Sequence, residues 1–169
     1  MPPTLRTVLR LTLSTLYQNA LDNSTPEDAA NYSFGATLAT GTAANLADRV
    51  FHDRRTLGTA TSENLDLAGS LTDPLGNTVS MAKVKGLLIQ NRTATAGAYL
   101  LVGGAASNQF PFLNAVGEKC RVGPSGMAFF WNPVDGFTVT AGTGDQLKID
   151  NPGAVASIDY DIFIIGTSA

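Results

Sequence analysis

Chemistry-bearing side chains are scarce in this chain of 169 residues, which holds one cysteine (Cys120), one histidine (His52) and one tryptophan (Trp131). A single cysteine excludes a disulfide within the chain, and with it a cysteine-based zinc site. Cys120 reads as a small core or edge residue. A catalytic histidine needs a nucleophile and an orienting carboxylate. Asp53 adjoins His52 in sequence, but neighbours along a strand point to opposite faces. His52 is therefore expected to be structural, hydrogen-bonded in a loop or an interface. Charge is also sparse: 15% of residues are charged, against about a quarter in ordinary domains. Eleven basic and 14 acidic residues leave a net charge of −3, without the basic stripe that nucleic acid requires. No apolar run approaches the ~18 residues of a membrane span. Met1-Pro2-Pro3 leads into alternation and not into a leader's apolar segment. The reading is a chain made in a cytoplasm, with no membrane contact and no cofactor.

What is present is apolar residue, threonine and glycine. Hydrophobic residues make up 44%, with 17 glycines and 19 threonines. Threonine suits a half-exposed pleated surface and glycine supplies turns. The stretches 49–57, 62–68, 81–91, 98–104, 119–123, 127–131, 137–141, 146–150 and 156–166 read as short strands separated by Gly, Pro, Asn or Asp. GPSG (123–126) and GTGD (142–145) read as hairpin turns, and 72–78 as a further turn. Without alternating long helices, the pattern argues against a parallel α/β sheet. In the last strand Ile158, Tyr160, Ile162 and Ile164 share one face, while Asp159 and Asp161 take the other and Phe163 and Ile165 make that face apolar farther on. Such a strand is expected to be part-covered by a neighbour. The expected fold is a single all-β domain over 1–169, an antiparallel β-sandwich of jelly-roll type. Residues 1–13 are an N-terminal arm or a first strand, and 35–47 a surface loop. One short helix is expected near 25–31, with Thr25 as N-cap, Pro26 at the first helical position and Asp28 in the first turn.

The search for chemistry finds little. GPSG lacks the glycine two places after its serine that a nucleophile elbow needs. GTGD is too short for a phosphate loop and opens no helix. Asp159 and Asp161 lie about 7 Å apart on one strand face, and Asp22, Glu27 and Asp28 cluster in sequence. Either group could hold a cation, but neither has calcium-loop spacing. A solvated face, or pairing with arginines of a neighbour, is the plainer reading. Phe129-Phe130-Trp131, with Phe110, Phe112 and Phe137, supplies core and interface aromatics, or alternatively a platform for a glycan.

Several stretches together carry a resemblance: LYQNALDNSTPEDAANYSF (16–34), ADRVFHDRRTL (47–57), LDLAGSLTDPLGNTVSMAKVKGLLIQN (65–91), LVGGAASNQFPF (101–112) and VTAGTGDQLKIDNPGA (139–154). This text resembles small structural proteins of tailed-bacteriophage virions, of the head decoration or cement type. The resemblance implies a non-enzymatic capsid decoration protein, a homotrimer located in the virion. Its partners would be the major capsid protein and copies of itself. A tail, neck or fibre component and a carbohydrate-binding β-sandwich are the alternatives. The interface residues expected are Leu5, Arg6, Arg10, Arg54, Arg55, Phe130, Trp131, Phe163 and Ile165.

Overall fold

The computed structural model describes residues 4–169. Of the expected arm 1–13, Met1, Pro2 and Pro3 lie outside the described residues. Among the described residues every regular element is a strand, and every strand–strand ladder is antiparallel, with single parallel bridges at Ala39–Leu46 and Gln109–Gln146. The strands are β1 (Thr7–Gln18), β2 (Glu27–Leu38), β3 (Arg49–Leu57), β4 (Thr61–Asp66), β5 (Leu71–Thr72), β6 (Thr78–Val79), β7 (Lys83–Asn91), β8 (Leu100–Gly103), β9 (Lys119–Val122), β10 (Met127–Trp131), β11 (Phe137–Thr138), β12 (Gln146–Asn151) and β13 (Ile158–Thr167).

Two open sheets build the body. The first runs β10-β7-β13-β3, with β11 also on β7, and the second runs β4-β12-β8-β9. Their inward side chains form one core, including Phe51, Leu87, Ile89, Ile158, Ile162 and Ile164 from the first sheet and Leu65, Leu100, Val102, Val122, Leu147 and Ile149 from the second. The period-two alternation of Ile158, Tyr160, Ile162 and Ile164 causes this directly, because alternate residues of a strand share one face. Two buried asparagines tie the layers at their ends. Asn91 donates to the carbonyls of Ala98 and Val122, and Asn151 to those of Gly58 and Ala156. Each satisfies carbonyls that the sheet ladders leave free.

The eight longer body strands pair first with last (β3·β13), second with seventh (β4·β12), third with sixth (β7·β10) and fourth with fifth (β8·β9). The expected hairpin at GPSG is thereby corrected, and that at GTGD holds only as a local turn. GPSG does turn, with Ser125 at φ 52° and the Gly126 N–H donating to the Gly123 carbonyl. But it carries the chain from β9 in one sheet to β10 in the other. GTGD does close the tight turn expected, with Gly142 at φ 74° and Thr140 bridged to Gly144, but it too carries the chain from β11 to β12, between the sheets. Turn chemistry sets the bend; the strand that pairs next is set by burial.

The expected helix near 25–31 is also corrected, since these residues enter β2. Ala30, Tyr32, Phe34 and Ala36 fall at period two and oppose Thr15, Leu13, Leu11 and Leu9 of β1. A cap signal stabilises a helix by about 1 kcal/mol, less than twelve paired positions can contribute. Pro26, which lacks an N–H, sits just outside the ladder, and its carbonyl accepts from Asn19. The expected loop 35–47 is shorter for the same reason: residues 35–38 are strand, and Leu38 and Ala47 are buried.

Candidate assembly interface

The outer face of the first sheet can be read row by row from the register. One row is Val50, Ile165, Gly86 and Trp131, and the next is His52, Phe163, Leu88 and Phe129. A third holds Arg54, Asp161, Gln90 and Met127. The face thus has two apolar rows bordered by a polar one. In the second row His52 lies parallel to Phe163, with ring centroids 4.8 Å apart. His52 is exposed on a strand and stacked on Phe163, which corrects the loop alternative of the expectation. Phe129 stacks on Trp131 at 5.8 Å.

The hairpin of β1 and β2 covers only the first row. Leu38, Ala47 and Ile165 form a small second core, with Leu5 and Trp131 packed against it. Leu5 is held there by Thr40, whose hydroxyl accepts from the Leu5 N–H and donates to the Leu5 carbonyl. Beside this base, Thr7, Val8, Leu9, Gly86, Leu88, Phe129, Trp131, Phe163 and Ile165 line an apolar groove of about 170 Å³.

Beyond its base the hairpin leaves the body. Alternation gives it one apolar face: Leu9 with Ala36, Leu11 with Phe34, Leu13 with Tyr32. The opposite face is mainly polar, with Arg10, Thr12, Ser14, Ser33, Asn31, Gln18 and Glu27, and exposes Val8 and Leu16 among them. Toward the base the apolar face is half-covered, at Thr7, Leu9 and Ala36. Farther out Leu11 is 45% exposed, Tyr32 57% and Leu13 60%. An isolated two-stranded hairpin is marginal in water, and contiguous exposed apolar surface marks an interaction site.

The polar groups bordering this face are mutually satisfied. Asp161 accepts from Arg54 at 2.6 Å and from Arg92 at 3.0 Å. These bonds, Arg54's foremost, hold its carboxyl below the usual range. Asp159 accepts from the Thr56 hydroxyl at 2.6 Å. The arginines that meet Asp161 therefore belong to its own chain. Among the described residues no group of three or more His, Cys, Asp or Glu side chains could hold a metal ion. At the hairpin tip Glu27 accepts from Gln18, across the strand pair.

Of the residues expected at an interface, Leu5, Arg54, Trp131, Phe163 and Ile165 are gathered on or beside this one face. Arg6 and Arg10 are exposed on the hairpin. Phe130 turns the other way, edge-on to Phe112 at 5.0 Å and against the core. Arg55 lies at the edge between the sheets, bonded to Asp53 and Glu63. Tyr160 also donates to Glu63, at 2.6 Å, and burial drives its hydroxyl pKa far upward. Leu88 and Gly86 of the sheet, and Phe34 and Tyr32 of β2, share these apolar faces and were not among the residues expected. The i, i+2 spacing of Phe129 and Trp131 is the signal that places them together. No protein-family model matches the chain, and neither a curated protein nor a solved structure similar to it was found.

Proposed function

We propose that this chain is a structural protein of a bacteriophage virion, a head decoration or cement protein that binds and stabilises the major capsid lattice. The observation that carries the reading is the projecting hairpin with an uncovered apolar face beside a half-covered apolar sheet. Such a molecule is incomplete by itself and is finished by neighbours. The residues on that face are carbon-rich and mutually packed, an arrangement for contact and not for turnover. The body fits the proposal as a sandwich of jelly-roll type. Pairing first strand with last, second with seventh, and so inward is what results when one long antiparallel ribbon is rolled around a core, the architecture of many viral capsid domains. The resemblance of 16–34, 47–57, 65–91, 101–112 and 139–154 to small virion proteins points the same way.

On this proposal the protein works as a homotrimer through mass action. A protein that binds only the assembled lattice stabilises it by linkage, about 2.7 kcal/mol per site at a hundredfold excess over Kd. Repeated copies add avidity. The test is the copy number in purified particles of the phage that encodes the chain, by quantitative mass spectrometry. Hundreds of copies per particle are expected. Absence overturns the virion reading, and a ring of a few copies moves the protein to the tail, neck or fibre. The glycan platform has less support, because the indole N–H of Trp131 is buried and the ring packs under the hairpin base.

A further inference from the structure

We propose that the outer half of the β1–β2 hairpin docks on the outer face of the first sheet of a second copy of this chain, over Phe163, Leu88 and Phe129. This deepens the proposed structural role by naming the contact between copies.

Reach is the first argument. Twelve residues per strand extend about 40 Å, whereas a folded chain of this length has a radius of gyration near ~15 Å. The body covers the hairpin only to about Leu9, so Leu11, Leu13, Tyr32 and Phe34 can be covered only by another molecule. Continuity is the second. One uninterrupted hairpin face starts on the chain's own outer sheet, at Thr7 and Leu9, and runs off it. A copy offers the same kind of surface again. Its second row, His52–Phe163–Leu88–Phe129, is the part that its own hairpin leaves open: Phe163 is 43% exposed, and Met127 at the margin 62%.

Area is the third. The outer part of the ribbon, from Leu11 to Gln18, is about 27 Å long and 10 Å wide and has a footprint of roughly 270 Å². Counted on both surfaces and for two exchanged hairpins, that comes to roughly 1,100 Å², just above the ~1,000 Å² that a specific interface needs. Each chain carries one hairpin and one face. A closed pair or ring therefore covers every hairpin without leaving one over. Among the described residues the one buried side-chain polar atom without a partner is Nε1 of Trp131, a residue that lines the same groove.

The test uses the full chain at tens of micromolar and reads mass by light scattering and sedimentation. The wild type is expected at a multiple of 17.6 kDa. A hairpin variant, L13D with Y32D, and a sheet variant, F163D, should each fall to 17.6 kDa while keeping the wild-type far-UV circular dichroism. Mixed one to one at hundreds of micromolar, they should recover a pair of about 35 kDa, twice 17.6 kDa, held more weakly than the wild type because one of the two contacts is restored. A misfolded variant cannot pass that mixing step. A monomeric wild type overturns the proposal, as does a hairpin variant of wild-type mass. Two folded monomeric variants that stay apart on mixing overturn it too. None of these results alters the copy number in particles, which tests the virion role separately.

Discussion

The imidazole of His52 and the ring of Phe163 stack with centroids 4.8 Å apart and planes 9° from parallel, on the side of the first sheet that faces away from the core. Next to His52 in sequence, Phe51 points the other way and is 4% exposed. Adjacent residues of one strand thus serve two surfaces. Phe51→Ala should cost about 3–5 kcal/mol, as large-to-small changes in a core do. Phe163→Ala should cost the monomer about 1 kcal/mol or less, the size of one aromatic pair. Urea unfolding of both variants at low protein concentration checks this. Equal losses would mean that the outer face is as fully packed as the core.

The strands were largely legible in the sequence. Residues 49–57 and 127–131 form strands over the spans their β-branched and aromatic content predicts. The alternation through Ile158, Tyr160, Ile162 and Ile164 gave the buried face directly. What was not legible was pairing. GPSG and GTGD carry hairpin chemistry, yet the strands that flank each turn sit in different sheets. A four-residue motif fixes a change of direction, while the partner strand is chosen by contacts distant in sequence. The β1–β2 hairpin was hidden for a related reason. Thr25-Pro26 is a local helix-start signal, and the opposing pattern in β1 is visible only once the register is known. The apolar outer face was half legible: Trp131, Phe163 and Ile165 were singled out in the sequence, but Leu88 reads there as one apolar residue among several in β7.

Tyr160 and Glu63 join the two sheets at their edge through a 2.6 Å hydrogen bond, and Arg55 also donates to Glu63 at 2.8 Å. Tyr160→Phe leaves Glu63 with Arg55 and removes one buried bond. The expected loss is about 1–2 kcal/mol, read as a lower urea midpoint with an unchanged slope. Glu63→Gln should cost more than Tyr160→Phe, because it weakens the bonds to both partners. The reverse order would show that the arginine contributes nothing to this edge.

Acid should weaken the fold through Asp161 and Asp73. Hydrogen bonds from Arg54 and then Arg92 lower the Asp161 pKa against a smaller cost of burial. The backbone N–H and side chain of Asn77 lower that of Asp73. A carboxyl whose folded pKa lies below its unfolded value binds fewer protons when folded. Its stabilisation is complete above the unfolded pKa, near 4, and is lost as pH falls through the lower folded value. Stability measured between pH 6 and pH 2 should therefore decline below about pH 4. Asp161→Asn should make that decline shallower, while the variant starts less stable at pH 6. An unchanged acid slope in the variant would show that Asp161 is not held in this way.

Gly86 gives the hairpin base its seat. A Cβ built at this position would meet the Trp131 ring at 3.0 Å and Ile165 Cδ1 at 3.7 Å. The indole therefore lies against bare backbone, and this places it beside the Leu38, Ala47 and Ile165 cluster. Gly86→Val should push the ring off the sheet, at a cost of about 1–3 kcal/mol from overpacking. Trp131 is the single tryptophan, so its fluorescence reports the displacement without ambiguity. The emission should shift to longer wavelength as the indole gains contact with water, and proteolysis within residues 4–47 should accelerate as the hairpin base loosens. Gly86→Ala needs only a few tenths of an ångström of yielding and should give a smaller change in the same direction. An unshifted emission in Gly86→Val would mean that the hairpin base is held by Leu5 and Leu38 alone, with the indole free to adjust.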